Sequence, residues 1–409
     1  MKGVKGFSVL SEIPNFDIVT QLDPDSFHCL VNVAKRFTWL WFGKRFSGKV
    51  FSICDKLSEA DARLLSITPT SDTSRFPRSL TERSDWRGHE WYHWILTYSI
   101  PCLKNLLPTR YFNHWSQLPT GLAYLMQNSS AKSDVGYGDR FLVKFVSEID
   151  YLYGPEHVTF SIHLLTHLAK SVSDFAQPFC HSAYIYEAEN AEIKSLVKSG
   201  NGAIFQIAKG VQLKAAVKQM EYDLKDNMTP NENAYLRKMT ISVVHPVSYC
   251  TIGNASLLGN PDIKMLEHEA VVAFRRAQIQ LDATRSHAVY LRCLLNEELL
   301  FSTKYTKAPK QNNSVVMLED ESIFIIDSFV VLMDKCFALG YYIMENKRQK
   351  ICDPMPPHMK LLKNNHEGTL RCIPVSHIES KLLSTLVKIS DDESLRLAYI
   401  NVLSMEMLK

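Results

Sequence analysis

The hydrophobic periodicity of this chain changes near residue 238, and that break limits its possible folds more than any other feature. Upstream, apolar residues recur every three to four positions, the spacing of a helix with one buried face. Downstream come short segments rich in β-branched and aromatic residues: SVVHPVSYCTI, HAVYLRCLL, FSTKYT, NSVVML, SIFIIDSFVVLM and TLRCIPV. Polar turns such as APKQNN and LEDES separate them, the punctuation expected between strands. The expected class is α+β, mainly helical in the first half, with a smaller β-rich C-terminal domain.

Residues 16–22 (FDIVTQL) read as a short strand, closed at Asp23-Pro24-Asp25 because proline cannot extend a ladder. Helical spacing then runs from Cys29 to Phe42, with Gly43 as the stop, and again over 55–67. A Trp- and Leu-rich helical stretch covers 85–107 and is interrupted at Pro101. Further helices are expected at 113–129, 138–152, 156–176, 182–198 and 204–225, and one at 262–279 joins the helical part to the β-rich part. Gly200 and Gly202 end the helix at 182–198, and a polar stretch lies around Asn227 to Asn233.

At 409 residues the chain has room for two or three domains, and 46% apolar with 22% charged residues is ordinary for a soluble globular protein. The net charge of +3 permits nucleic-acid binding without demanding it. Nine cysteines stand singly, with no C-x-x-C pair, which fits free thiols in a reducing compartment and excludes a locally encoded Cys-rich zinc site. The N-terminal MKGVKGFSVLSEIPNFDIV is too interrupted for a signal peptide. No apolar run reaches the ~18 residues of a membrane span. The best stretch, FIIDSFVVLM, is short and broken by Asp327.

Four blocks follow one another in a recognisable order. The first is Gly3 to Phe37, GVKGFSVLSEIPNFDIVTQLDPDSFHCLVNVAKRF, which contains Asp25-x-x-His28. The second lies within 61–107 and carries RFPRSL and WRGHEWYHWIL. The third is YLYGPEHVTFSIHLLTHL from Tyr151 to Leu168, and the fourth is SAYIYEAENA from Ser182 to Ala191. Together these blocks resemble the C-terminal part of the catalytic core of CACTA (En/Spm)-type DDE DNA transposases. Two departures stand out: Ser26-Phe27 where the family often has Tyr-Met, and Asn32 where it usually has Gly.

The resemblance implies a partial RNase H-like core without its first strands, carrying a helical insertion. On this reading 1–54 is the core remnant with the second Asp, 55–155 the insertion, 156–235 the catalytic-Glu helices and 236–409 the β-rich domain. It implies Asp25 and Glu187 as catalytic Mg²⁺ ligands and His163 with His167 as a possible Zn²⁺ pair. It also implies DNA at transposon ends as partner, a possible homo-oligomer, no membrane, and the nucleus as location. Two Mg²⁺ ions flanking a scissile phosphate need hard carboxylate ligands, which explains the residue types. Only Asp17 and Asp23 precede Asp25, too short a stretch for the strands that carry a first catalytic Asp, so a chain lacking the full triad is expected.

Each assignment has a plainer competitor. Asp-Pro-Asp is also ordinary turn composition, and Glu187 has Glu189 beside it. The histidine pair reads more readily as two partly buried helix residues than as zinc ligands. Arg78, Arg83, Arg87 and Trp86 are DNA-binding candidates, since arginines clamp phosphates and aromatic rings stack on unpaired bases. Their competitor is a packed aromatic face with solvated arginines around it. A non-catalytic, domesticated DNA- or protein-binding module is the alternative to a transposase.

Overall fold

The structure is a computed structural model and describes residues 6–18, 21, 23–73, 75–127, 131–224, 228–229, 231–232, 235, 249–296, 298–364, 368–389 and 394–399. It is α+β, and every strand pairing with a recorded register is antiparallel. The chain forms two compact units, one of residues 1–182 with 250–409 and one of residues 183–249.

In the first unit the expected 29–42 helix begins earlier, as α1 (Ser26–Phe42), because the Asp25 side chain caps it. The helices α2 (Leu57–Leu65), α3 (Gly88–His93) and α4 (Ser99–Leu103) follow, with the π-helical turn Trp94–Tyr98 between the last two. Next come α5 (Thr109–Leu125) and α6 (Lys132–Tyr153), which cross where Gly121 and Gly138 meet. A Cβ on Gly138 would stand 2.7 Å from the Leu125 side chain and 3.0 Å from Gly121 O, so glycine suits that close approach. Phe37 of α1 is the hub of this core, with ring centroids 5.5 Å from Trp115, 5.2 Å from Phe145 and 5.1 Å from Tyr153.

Three expectations for this unit are corrected. The described residues of 16–22 (Phe16, Asp17, Ile18 and Gln21) form a turn instead of a strand. Gln21 closes it from both sides: its N–H donates to Asp17 O at 2.8 Å and its Oε1 accepts from Asp17 N at 2.8 Å. The single helix expected over 156–176 is broken into α7 (Phe160–Leu164), a 3-10 turn Leu165–His167 and α8 (Leu168–Phe175). Pro101 does not interrupt its stretch but sits inside α4. A proline cannot donate to the carbonyls four or five residues back, and the carbonyl of Leu96 is taken instead by His358 Nε2 at 2.8 Å.

Among the described residues the β-rich part contains fourteen strands. The first six are β1 (Tyr249–Ile252), β2 (Ala255–Leu258), β3 (Asp262–Met265), β4 (Ser286–Tyr290), β5 (Arg292–Leu295) and β6 (Glu298–Phe301). Then come β7 (Val315–Leu318), β8 (Ile323–Leu332), β9 (Lys335–Ile343) and β10 (Met359–Leu362). The last are β11 (Arg371–Pro374), β12 (Ile378–Lys381), β13 (Leu383–Lys388) and β14 (Ser394–Tyr399). They make a four-stranded sheet β1-β2-β5-β6, a three-stranded sheet β10-β14-β13, and a seven-stranded sheet ordered β11-β9-β8-β4-β3 with β7 and β12 branching from β8. The expected 262–279 helix is shorter, because 262–265 is drawn into β3 by pairing with β4. The helix itself runs only His268–Arg276 and packs Phe274 against Phe337 of β9. Asp327, which breaks the apolar run of β8, sits at a bulge and accepts from Lys304 Nζ at 2.8 Å.

The helical and β-rich regions of this unit are joined by partly buried polar bonds. Lys104 Nζ donates to Ile351 O at 2.6 Å, and Asn313 exchanges hydrogen bonds with Ser71 at 2.8 and 2.7 Å. The buried Lys381 ammonium pairs with Asp72.

The second unit contains a helical hairpin of α9 (Tyr184–Leu196) and α10 (Ala203–Leu224). Gln206 fixes the turn between them by donating to Asn201 O at 2.8 Å and accepting from Lys198 N at 2.7 Å. Lys214 and Glu192 form an ion pair across it. Asn227, Pro230 and Asn233 of the polar stretch, and most of SVVHPVSYCTI, lie outside the described residues.

Candidate functional site

The N-terminus of α1 brings Asp25 and His28 together. Asp25 Oδ1 accepts from Phe27 N at 3.3 Å and Oδ2 from His28 N at 3.0 Å, filling two of the orphan donors of a helix start. The same Oδ2 also meets His28 Nδ1. The Asp25 side chain is 30% exposed and that of His28 55%, so the pair opens to solvent. Two residues upstream, Asp23 pairs with His181, whose Nε2 lies 3.2 Å from Ala176 O.

Residues of the first three blocks pack around this point. Phe27 lies so close over Gly88 that an added Cβ would overlap its ring, and it stacks on Tyr92 at 5.8 Å. Cys29 Sγ donates to Ser161 O at 3.0 Å, and Asn32 Nδ2 to Ser161 Oγ at 3.4 Å. Burial pushes the Cys29 thiol up to about 12, with the Asp25 charge adding to the effect, so it is a packing group and not a nucleophile.

His163 and His167 face one another, Nε2 to Nε2, at 3.2 Å. Both are exposed, where a partly buried pair is the plainer expectation. Two nitrogens bound to one tetrahedral zinc at ~2.0–2.1 Å stand roughly 3.3 Å apart, so the spacing suits two ligands of one such ion. Among the described residues, no group of three His, Cys, Asp or Glu side chains is placed to hold a metal ion.

Glu187 lies in the first turn of α9 and is exposed, as is its neighbour Glu189. It belongs to the second unit, and Asp25 to the first.

The DNA-binding candidates of the second block divide by their exposure. Trp86 is buried, donates from Nε1 to Ser79 O at 3.2 Å, and packs 4.8 Å from Trp91. That placement is the packed aromatic face that competes with a base-stacking role. Arg78 is committed as well: Nε and Nη2 bind the two oxygens of Glu90 at 2.7 and 2.9 Å, and Nη2 also reaches Asp85 O at 2.7 Å. Arg83 Nη1 donates to Leu80 O at 2.6 Å. Of the four, Arg87 alone keeps an exposed side chain, although its backbone N–H bonds Glu90 at 2.7 Å. Burial pushes the Glu90 carboxyl up, but Arg78 and the Arg87 N–H outweigh it and hold the group below the usual carboxylate range.

Sequence reading missed Asp23–His181 and the Arg78–Glu90 pair. The second had a visible signal, an Arg and a Glu in one block, but the first joins positions far apart in the chain with nothing local to link them. Comparison with protein-family models, curated proteins and solved structures finds no match.

Proposed function

We propose that this chain carries part of the catalytic core of a CACTA-type DNA transposase, an enzyme class that cleaves and transfers DNA strands by two-metal chemistry. The observation that carries the reading is the set of four blocks in family order, with the first three packed on one another around the start of α1 through Phe27–Gly88 and Cys29–Ser161. An RNase H-like core, a nuclear location and transposon-end DNA as substrate belong to the same proposal.

In this reading Asp25 and Glu187 are carboxylates for Mg²⁺. Their hard oxygens and solvent access fit that ion by donor type. Mg²⁺ would activate the attacking hydroxyl and stabilise the leaving oxygen. The chain's own contribution at Asp25 is positional: two backbone N–H groups and His28 fix the carboxylate in one orientation. His163 and His167 would supply two nitrogen ligands to a zinc ion.

A second reading, a non-catalytic DNA- or protein-binding module, is favoured by one observation: Asp25 already serves as a helix cap, a role that needs no metal. Mn²⁺ binding followed by electron paramagnetic resonance, with DNA present, separates the two. The transposase reading expects binding that falls in both Asp25→Asn and Glu187→Gln. Unchanged Mn²⁺ binding in both variants, with DNA binding intact, would leave the second reading standing.

A further inference from the structure

From Ser26 to Cys54 the chain carries five Lys and Arg residues and no Asp or Glu. The fold gathers them on one side. Lys35 is exposed on α1, on the same face as Asn32 and Trp39, the helical neighbours three and four positions away. Lys44, Arg45 and Lys49 are exposed in the turn that follows α1. None of the ion pairs among the described residues involves these four cations.

Arg36 and Trp39 fix the middle of this face. The Arg36 guanidinium lies 5.2 Å over the Trp39 ring, and its Nη2 donates to His157 Nδ1 at 2.6 Å. Phe46 meets Trp39 edge-on at 4.5 Å, so the indole is braced while remaining 37% exposed. The groups facing Arg36 from the neighbouring turn are Glu156, whose backbone carbonyl accepts from Nη2 at 3.4 Å, and His157. Burial pushes His157 down, and the nearby Arg36 and Lys49 charges push it further, against Glu156. Glu156 thus places an acid at the edge of an otherwise positive surface.

We infer that the exposed face of α1 and the turn at Lys44–Lys49 bind the phosphate backbone of DNA without reading its sequence. Cations outside any ion pair, spread along a surface, match the repeating charge of a polyanion, and the braced tryptophan can stack where a base is unpaired. From Asp25 to Trp39 the helix rises roughly 21 Å, the length of about six base-pair steps. Lys35, the exposed cation nearest the helix start, lies ten residues, or roughly 15 Å along the axis, from Asp25. The choice of DNA over other polyanions rests on the proposed transposase reading, whereas the charge match does not.

The test is fluorescence anisotropy of the full chain with labelled single-stranded and duplex DNA over a salt series. The variant carries Lys35→Glu, Lys44→Glu, Arg45→Glu and Lys49→Glu. The control carries Lys307→Glu, Lys335→Glu, Lys347→Glu and Arg348→Glu, an equal charge change on exposed residues of the β-rich region. The expected result is DNA binding at least about tenfold weaker in the first variant than in the control, with the salt slope on duplex DNA shallower by about 0.9 for each phosphate no longer neutralised. Circular dichroism melting checks that both variants remain folded. No DNA binding by the unmodified chain, an equal loss in the control, or tighter binding to phosphatidylserine vesicles than to DNA would overturn the inference. Failure of the transposase reading looks different: DNA binding and its loss in the variant persist, while Mn²⁺ binding ignores Asp25 and Glu187.

Discussion

Replacing Arg78 with alanine strips two charged hydrogen bonds from a carboxylate that is 8% exposed. Removing one partner of a buried ion pair costs about 3–5 kcal/mol, because the other charge stays buried without its counter-ion. Two features lower that figure here. Arg78 is itself 30% exposed, and Glu90 Oε2 keeps its bond from the Arg87 N–H at 2.7 Å. A loss of about 2–3 kcal/mol at neutral pH is expected. The assay is urea unfolding followed by tryptophan fluorescence, since Trp86 lines the same cleft as Arg78 and Glu90. The pH dependence supplies a second check. The Glu90 carboxyl is depressed in the fold, so its contribution is present above the unfolded carboxylate value and is lost as pH falls through the lower folded value. Without Arg78, burial dominates and the carboxyl rises, so protonation relieves the variant. The gap between wild type and Arg78→Ala should therefore narrow as pH drops below the carboxylate range. A loss below about 1 kcal/mol at neutral pH, or a gap that does not change with pH, would refute the reasoning.

His358→Ala leaves Leu96 O buried opposite Pro101 and should cost about 1–3 kcal/mol by thermal melting; adding Pro101→Ala, which restores an N–H in the helix, should recover part of it. Burial pushes His93, His114 and His358 each down to about 4, so all three are neutral in the fold and would bind protons once unfolded; the melting temperature should fall as pH drops from about 6.5 to about 4. Gly88→Val places a side chain where the Phe27 ring lies and should destabilise by about 1–3 kcal/mol, with a matching change in near-ultraviolet circular dichroism from the displaced Phe27–Tyr92 stack.

Several helices of the first half were legible because they carry a local signal. The apolar spacing of α1, with Gly43 at its end, and the stripe of α6 are examples; the burial of Leu142, Phe145 and Ile149 follows that spacing. The run 16–22 misled because its composition suits a strand, while the Gln21–Asp17 bonds that fold it into a turn are not a property of composition. In the β-rich half, β8 stood out as an apolar run, but β9 and β13 did not, since their pairing partners decide whether they are strands. The Trp and Arg residues of the second block were legible as a group, but whether they face solvent was not.

By itself, the sequence determined the α+β class, the place where helical texture gives way to strands, the absence of a C-x-x-C pair and the run of cations without acids from Ser26 to Cys54. These depend on residue type and short-range spacing, which the chain carries before it folds. Only the tertiary structure decided that Trp86 is buried, that Arg78 is spent on Glu90, that Asp23 meets His181, and that His358 completes the helix at Pro101. Those outcomes depend on which distant segment arrives to desolvate a group or satisfy its hydrogen bonds, and no local pattern encodes the identity of that partner.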